Sequence, residues 1–114
     1  MVLEYKPVKY YKKFKRDYLQ FVVFVKCGAF YYTFDSDAKI MVCVCNYALN
    51  EDGSIKIKKE EFFSILKILH QNGLNVILAG SKNVSEYYTD KQSQYMKVRA
   101  RAKAHVRATI SGVQ

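Results

Sequence analysis

The chain has 114 residues, half of them apolar, and carries a formal charge of +9. This composition, with a single proline, excludes a disordered tail and predicts one domain over residues 1–114, and no run of about 20 apolar residues is present to span a bilayer. Lys and Arg are in excess in residues 1–20 and 91–114, so the two ends, if they meet, form one cationic surface suited to a phosphate backbone or an anionic membrane.

The first predicted element is a basic amphipathic helix. Pro7 suits a first helical turn, and Tyr11, Phe14 and Tyr18 recur at helical spacing with lysines between them. A hairpin follows over Phe21–Asp37, where an apolar run stops at Gly28 and an aromatic run begins at once. These two runs predict two strands joined by a tight turn.

The middle of the chain predicts a short helix and a second hairpin. Residues 35–37 are three good N-cap candidates for a short helix that begins there. The β-branched residues that follow favour a strand over about Val44–Leu49. An Asp-Gly turn then leads into a returning strand at Ser54–Lys58.

The clearest helix is predicted over residues 60–72, where apolar residues repeat at helical spacing and Gly73 follows as a stop. Residues 75–79 predict a short buried strand. Residues 80–94 are polar, show no periodicity and predict a loop.

The last segment alternates small apolar and cationic residues from Met96 to Ser111. An extended chain places all the charges on one face, which favours a strand, although alanine favours helix. A narrower interpretation is that only about Ala104–Ile110 joins the sheet. Together these elements predict an α/β (α+β) fold with a mixed sheet of about five strands flanked by about three helices.

Catalytic and metal chemistry find little support in the sequence. The three cysteines suit reduced, buried thiols, and neither histidine follows them with zinc-finger spacing. No nucleophile has a recognisable partner, and no G-x-x-x-x-G-K-S/T phosphate loop is present. We therefore expect no enzyme, no cofactor and no metal. We also expect a cytoplasmic protein without a membrane partner, associated with the nucleoid if it binds DNA.

The order of these elements resembles the N-terminal mismatch-recognition domain of the MutS family of DNA mismatch-repair proteins. That family has an apolar strand, then Gly-Asp-Phe-Tyr-Glu-x-Phe, then Asp-Ala at a helix start. This chain has Gly-Ala-Phe-Tyr-Tyr-Thr-Phe at residues 28–34 and Asp37-Ala38 thereafter. The resemblance covers nearly the whole chain and implies the fold of that domain.

The resemblance also implies which residues contact DNA. Phe30 matches the family phenylalanine that wedges between bases, and Tyr32 stands where the family has a glutamate that binds the displaced base. Phe30 and Tyr32 share one face of their strand. The other candidate DNA-binding residues, from the turn and the basic end, are Lys26, Gly28, Arg99, Arg101 and Arg107.

Two functions are compatible with these residues. The first is binding of double-stranded DNA, including mispaired or distorted DNA, through the wedge and the basic surface. Single-stranded nucleic acid is a variant of this function, because aromatic rings beside basic groups also stack unpaired bases. The second is a protein-interaction module in a DNA-repair or mobile-element assembly, in which aromatic residues anchor the contact. In either function, a separate protein partner could supply the ATPase and clamp domains that the family resemblance calls for.

Overall fold

The computed structural model describes residues 6–111. Five strands form one mixed sheet in the order β3-β2-β1-β4-β5, in which β1 and β4 are parallel and the other neighbours are antiparallel. The strands are β1 (Phe21–Cys27), β2 (Phe30–Thr33), β3 (Ile55–Lys58), β4 (Asn75–Ala79) and β5 (Val84–Tyr87). The four α-helices are α1 (Pro7–Asp17), α2 (Asp35–Cys45), α3 (Phe62–Gln71) and α4 (Tyr95–Ser111).

The helices cover both faces of the sheet. Alternate residues of β1 and β4, such as Val23 and Ile77, pack against Tyr11 of α1. Their neighbours, such as Phe24, point the other way into a larger core with α2, α3 and the first half of α4. The predicted α/β class and the five-stranded mixed sheet are confirmed, and the number of α-helices is four rather than three.

The strand predicted at Val44–Leu49 is wrong. Helix α2 continues to Cys45 and ends at Asn46, whose backbone is left-handed with φ 62°. Ile40 and Met41 are fully buried on this helix, and its other side packs along α4. Burial against these two neighbours outweighs the β-propensity of the β-branched residues.

The loop predicted at residues 80–94 is wrong in part, because it contains β5. This strand pairs antiparallel with β4 at the edge of the sheet. Its residues are only partly buried or exposed, so the sequence lacks the apolar run that marked the central strands. A polar edge strand of this kind has no strong signature in sequence.

The strand predicted at the C-terminal end, and its narrower version at Ala104–Ile110, are also wrong. Residues 95–111 form one helix, and Tyr95, Val98, Ala102 and Val106 make a buried stripe at helical spacing. Because these side chains already give the helix an apolar face, the alternation in the sequence does not define a strand. Alanine propensity and packing against α2 decide the conformation.

A buried carboxylate ties three helices to the sheet. Asp37 was predicted as an N-cap candidate, but its side chain is fully buried and accepts a hydrogen bond from the Val23 amide at 3.0 Å. The hydroxyls of Tyr11 and Tyr95 donate to it at 2.8 and 2.6 Å. The Lys15 ammonium lies 3.0 Å from the same carboxylate and also donates to the Tyr95 hydroxyl at 2.9 Å. The cluster therefore joins α1 to the start of α4.

The two buried phenols of this cluster predict that the fold loses stability at alkaline pH. Burial, together with the neighbouring Asp37 carboxylate, raises the pKa values of Tyr11 and Tyr95 well above their ordinary value. The folded state therefore keeps two protons that the unfolded chain releases near pH 10. This contribution is fully present below about pH 10 and is lost above it, at about 1.4 kcal/mol per pH unit for each phenol.

We expect the free energy of unfolding, measured by urea denaturation, to fall steeply between about pH 10 and 11.5. Tyr95→Phe should make that fall shallower, because it removes one of the phenols whose pKa is raised by burial beside Asp37. Phe63→Ala, which removes an exposed ring of α3 and leaves every phenol in place, is the control and should keep the full slope. Equal slopes in Tyr95→Phe and the unmutated protein would contradict the assignment.

Candidate nucleic-acid interface

The candidate interface begins at the turn between β1 and β2. Gly28 has φ +63°, a left-handed conformation that suits glycine, and Gly28 and Ala29 are both exposed. The strand register places Phe30 opposite Cys27, so Phe30 is the first residue of the returning strand. Its ring is half-buried at this end of the sheet, where it remains accessible to a ligand.

Phe30 and Tyr32 lie on the sheet face that α1 partly covers. The ring of Tyr32 stacks on Phe34, with centroids 6.4 Å apart and planes 12° from parallel. Burial raises the pKa of the Tyr32 phenol, and the nearby Cys27 and Asp52 add to the effect. The phenol therefore stays protonated at neutral pH and can donate a hydrogen bond to a base edge.

Two cations beside Phe30 were not among the predicted site residues. The ammonium of Lys56 lies 4.6 Å from the centroid of the Phe30 ring, a cation–π distance. Lys58 is the direct cross-strand partner of Phe30, and both lysines are exposed. The alternation in Ile-Lys-Ile-Lys was the signal that could have found them, because it places both lysines on one face of β3.

A groove of about 400 Å³ lies beside Tyr32, between β2 and the start of α1. The residues that line it combine two aromatic rings, three smaller apolar side chains, one cation and one carboxylate: Tyr32, Phe34, Pro7, Val8, Cys27, Lys6 and Asp52. A groove that offers aromatic rings together with one cation and one carboxylate has the chemistry to hold a planar ring that carries polar edges.

The remaining predicted site residues lie elsewhere. Lys26 is exposed on the opposite face of β1 from Phe30, where its stem lies close to Gly80. Arg99, Arg101 and Arg107 belong to α4, which packs on that same opposite face. The sheet thus brings together Phe30, Tyr32 and the β3 lysines, and it separates them from the arginines of α4.

The two basic ends of the chain meet in part. Arg99 and the lysines of α1 line one shared groove, whereas Arg101 lies in a second groove beside Gly73. Because α4 is a helix, its cations spread around the exposed circumference and do not form a single row.

Within residues 6–111, no three His, Cys, Asp or Glu side chains are close enough together to hold a metal ion. The same part of the chain contains no helix that combines the length and the apolar character needed to cross a bilayer.

Comparison with known proteins gives one family. The family model described as MutS domain I matches residues 6–101, which includes every element from α1 to the first part of α4. A search of curated proteins found no match. The matched family is a DNA-recognition domain of mismatch-repair proteins and is not a catalytic domain.

Proposed function

Because this chain belongs to the MutS domain I family, we propose that it binds double-stranded DNA and that Phe30 acts as an aromatic wedge at mispaired or distorted sites. The observation that carries the proposal is the position of Phe30, half-buried behind an exposed turn and flanked by Lys56 and Lys58. An aromatic ring with cations beside it can unstack a base step while the cations contact the adjacent phosphates.

The wedge explains how such a surface would favour damaged or mispaired sites. Inserting a ring between base pairs costs a few kcal/mol of stacking, and a mispair or unpaired base lowers that cost. Tyr32 lies on the same face of β2 as Phe30, and its phenol can donate a hydrogen bond to a displaced base. Discrimination then follows from weak stacking and does not depend on the base sequence.

The protein acts, in this proposal, as a binding module in the cytoplasm with no chemistry of its own. The cations nearest the wedge supply backbone attraction, so affinity falls as salt rises. The predicted residues Lys26, Arg101 and Arg107 lie on the opposite face of the sheet, and their contribution is therefore long-range attraction.

Fluorescence anisotropy tests the proposal with four labelled DNAs of one sequence: a homoduplex, a G·T mispair, an unpaired T and a single strand. We expect tighter binding to the mispair and the unpaired T than to the homoduplex. Phe30→Ala should remove that preference, with a loss of about 5- to 150-fold in affinity for the unpaired T, the range found for base–aromatic stacking.

Phe63→Ala is the matched control, because Phe63 is an exposed phenylalanine of α3 on the other side of the sheet. It should keep the preference of the unmutated protein. Equal binding to every duplex would contradict the wedge. Failure to bind any of the four DNAs at low salt would contradict DNA binding and favour the protein-interaction module.

A further inference from the structure

A second groove, distinct from the wedge, runs between α1 and the starts of α2 and α4. It encloses about 840 Å³. Among the residues that line it, six are Lys or Arg and one is acidic, and neither Phe30 nor Tyr32 contributes. The cations are Lys9, Lys12, Lys13, Lys15, Arg16 and Arg99.

The floor and sides of this groove are apolar. Leu19 is 66% exposed and Met96 is 49% exposed, although both are large hydrophobic side chains. The buried rings of Tyr11 and Tyr95 line the same groove. Exposed apolar side chains of this size, rimmed by charge, are typical of a surface that a protein segment covers.

The positive charge of the groove indicates which kind of protein segment would bind there. The groove cations outnumber its single acidic residue, Asp35. The helices α2 and α4 also begin at this groove, at Asp35 and Tyr95, and the N-terminal ends of helices carry positive partial charge. An occupant with many carboxylates and a stripe of apolar residues would match both the rim and the floor.

We propose that this groove binds an acidic amphipathic helix of a partner protein. The helix would place its apolar face on Leu19 and Met96 and its carboxylates against the lysines of α1, the mode in which amphipathic helices occupy hydrophobic grooves. A nucleic-acid backbone would satisfy the cations but would leave Leu19 and Met96 uncovered. The proposal stands independently of DNA binding at Phe30.

The test uses a labelled synthetic peptide of about 18 residues, long enough to form a helix on binding, with leucines at i, i+3, i+4 and i+7 and glutamates elsewhere. Anisotropy should show tighter binding than for a peptide of the same composition in scrambled order. Leu19→Ala and Met96→Ala should each weaken binding of the ordered peptide about tenfold.

Three controls distinguish a helical peptide from a duplex or a lipid surface as the ligand of this groove. Phe63→Ala, an exposed phenylalanine outside the groove, should leave peptide affinity unchanged. Lys12→Glu with Arg16→Glu should abolish peptide binding, whereas Leu19→Ala and Met96→Ala should leave duplex affinity unchanged. Equal affinity for the ordered and the scrambled peptide would overturn the proposal. It would also be overturned if Leu19→Ala and Met96→Ala left peptide affinity unchanged and weakened binding to a duplex or to anionic lipid vesicles.

Discussion

Replacement of Asp37 by Asn is expected to lower the free energy of unfolding by about 3–5 kcal/mol, the range found when one partner of a buried ion pair is removed. Asp37 accepts hydrogen bonds from Tyr11, Tyr95 and the Val23 amide, and it lies 3.0 Å from the Lys15 ammonium. Asn would turn an NH₂ group toward these donors and would leave the Lys15 charge without its counterion.

The pKa directions agree with an ion pair in which burial disfavours both charges and each charge stabilises the other. Burial raises the pKa of Asp37, although Lys15, the Tyr95 hydroxyl and the Val23 amide oppose that effect. Burial likewise lowers the pKa of Lys15, against the attraction of Asp37. Each charge therefore depends on the other to remain ionised, and removing one leaves the other with the full cost of burial.

Urea denaturation measures the loss, and Asp35→Asn provides the matched control. Asp35 is exposed and has φ 53°, a conformation that Asn tolerates well, so this change should stay within about 0.5 kcal/mol. Adding Lys15→Met to Asp37→Asn should recover part of the loss, because it removes the uncompensated ammonium. Similar losses in Asp37→Asn and Asp35→Asn would contradict this account of the cluster.

The central part of the fold could be predicted because its signals are local. The apolar run of β1, the stop at Gly28 and the aromatic start of β2 each follow from neighbouring residues, and the structure confirms them. Helix α3 follows from its own apolar periodicity and begins at Phe62, after one turn of 3₁₀-helix. Such elements need no knowledge of what packs against them.

The errors arose where a distant contact decides the structure. Helix α2 extends through β-branched residues because its buried side packs on the sheet and its neighbour is α4. Helix α4 forms from a sequence that alternates every two residues because Val98 and Ala102 are buried in the same core as the apolar side chains of α2. Neither segment reveals its partner in its own residues.

The residues of the candidate site divide in the same way into those with a local signal in the sequence and those placed by a distant contact. Phe30 and Tyr32 could be predicted because they belong to one strand beside one turn. Lys56 and Lys58 could not be joined to them, because only the pairing of β2 with β3 brings these lysines beside Phe30. Arg101 and Arg107 entered the prediction through an extended C-terminal segment, and the helical conformation moves them to another face.

Reversing the charges of β3 is therefore expected to weaken duplex binding far more than reversing those of α4. Lys56→Glu with Lys58→Glu should lower affinity for a homoduplex about 100-fold at about 50 mM salt, since each lysine stands beside the proposed wedge. The slope of log K against log salt should become shallower by about two, because each lost phosphate contact removes one released counterion. Anisotropy titrations over a salt series measure both quantities.

Arg101→Glu with Arg107→Glu is the matched variant, because it reverses the same number of exposed charges on a helix that packs on the opposite face of the sheet. Its net charge equals that of the β3 variant, so any difference between the two reports position and not total charge. If the α4 variant loses only a few-fold in affinity and keeps the slope of log K against log salt, the result supports contact through β3. Equal losses in the two variants would show that the duplex responds only to net charge, and a larger loss in the α4 variant would place the DNA on the other face.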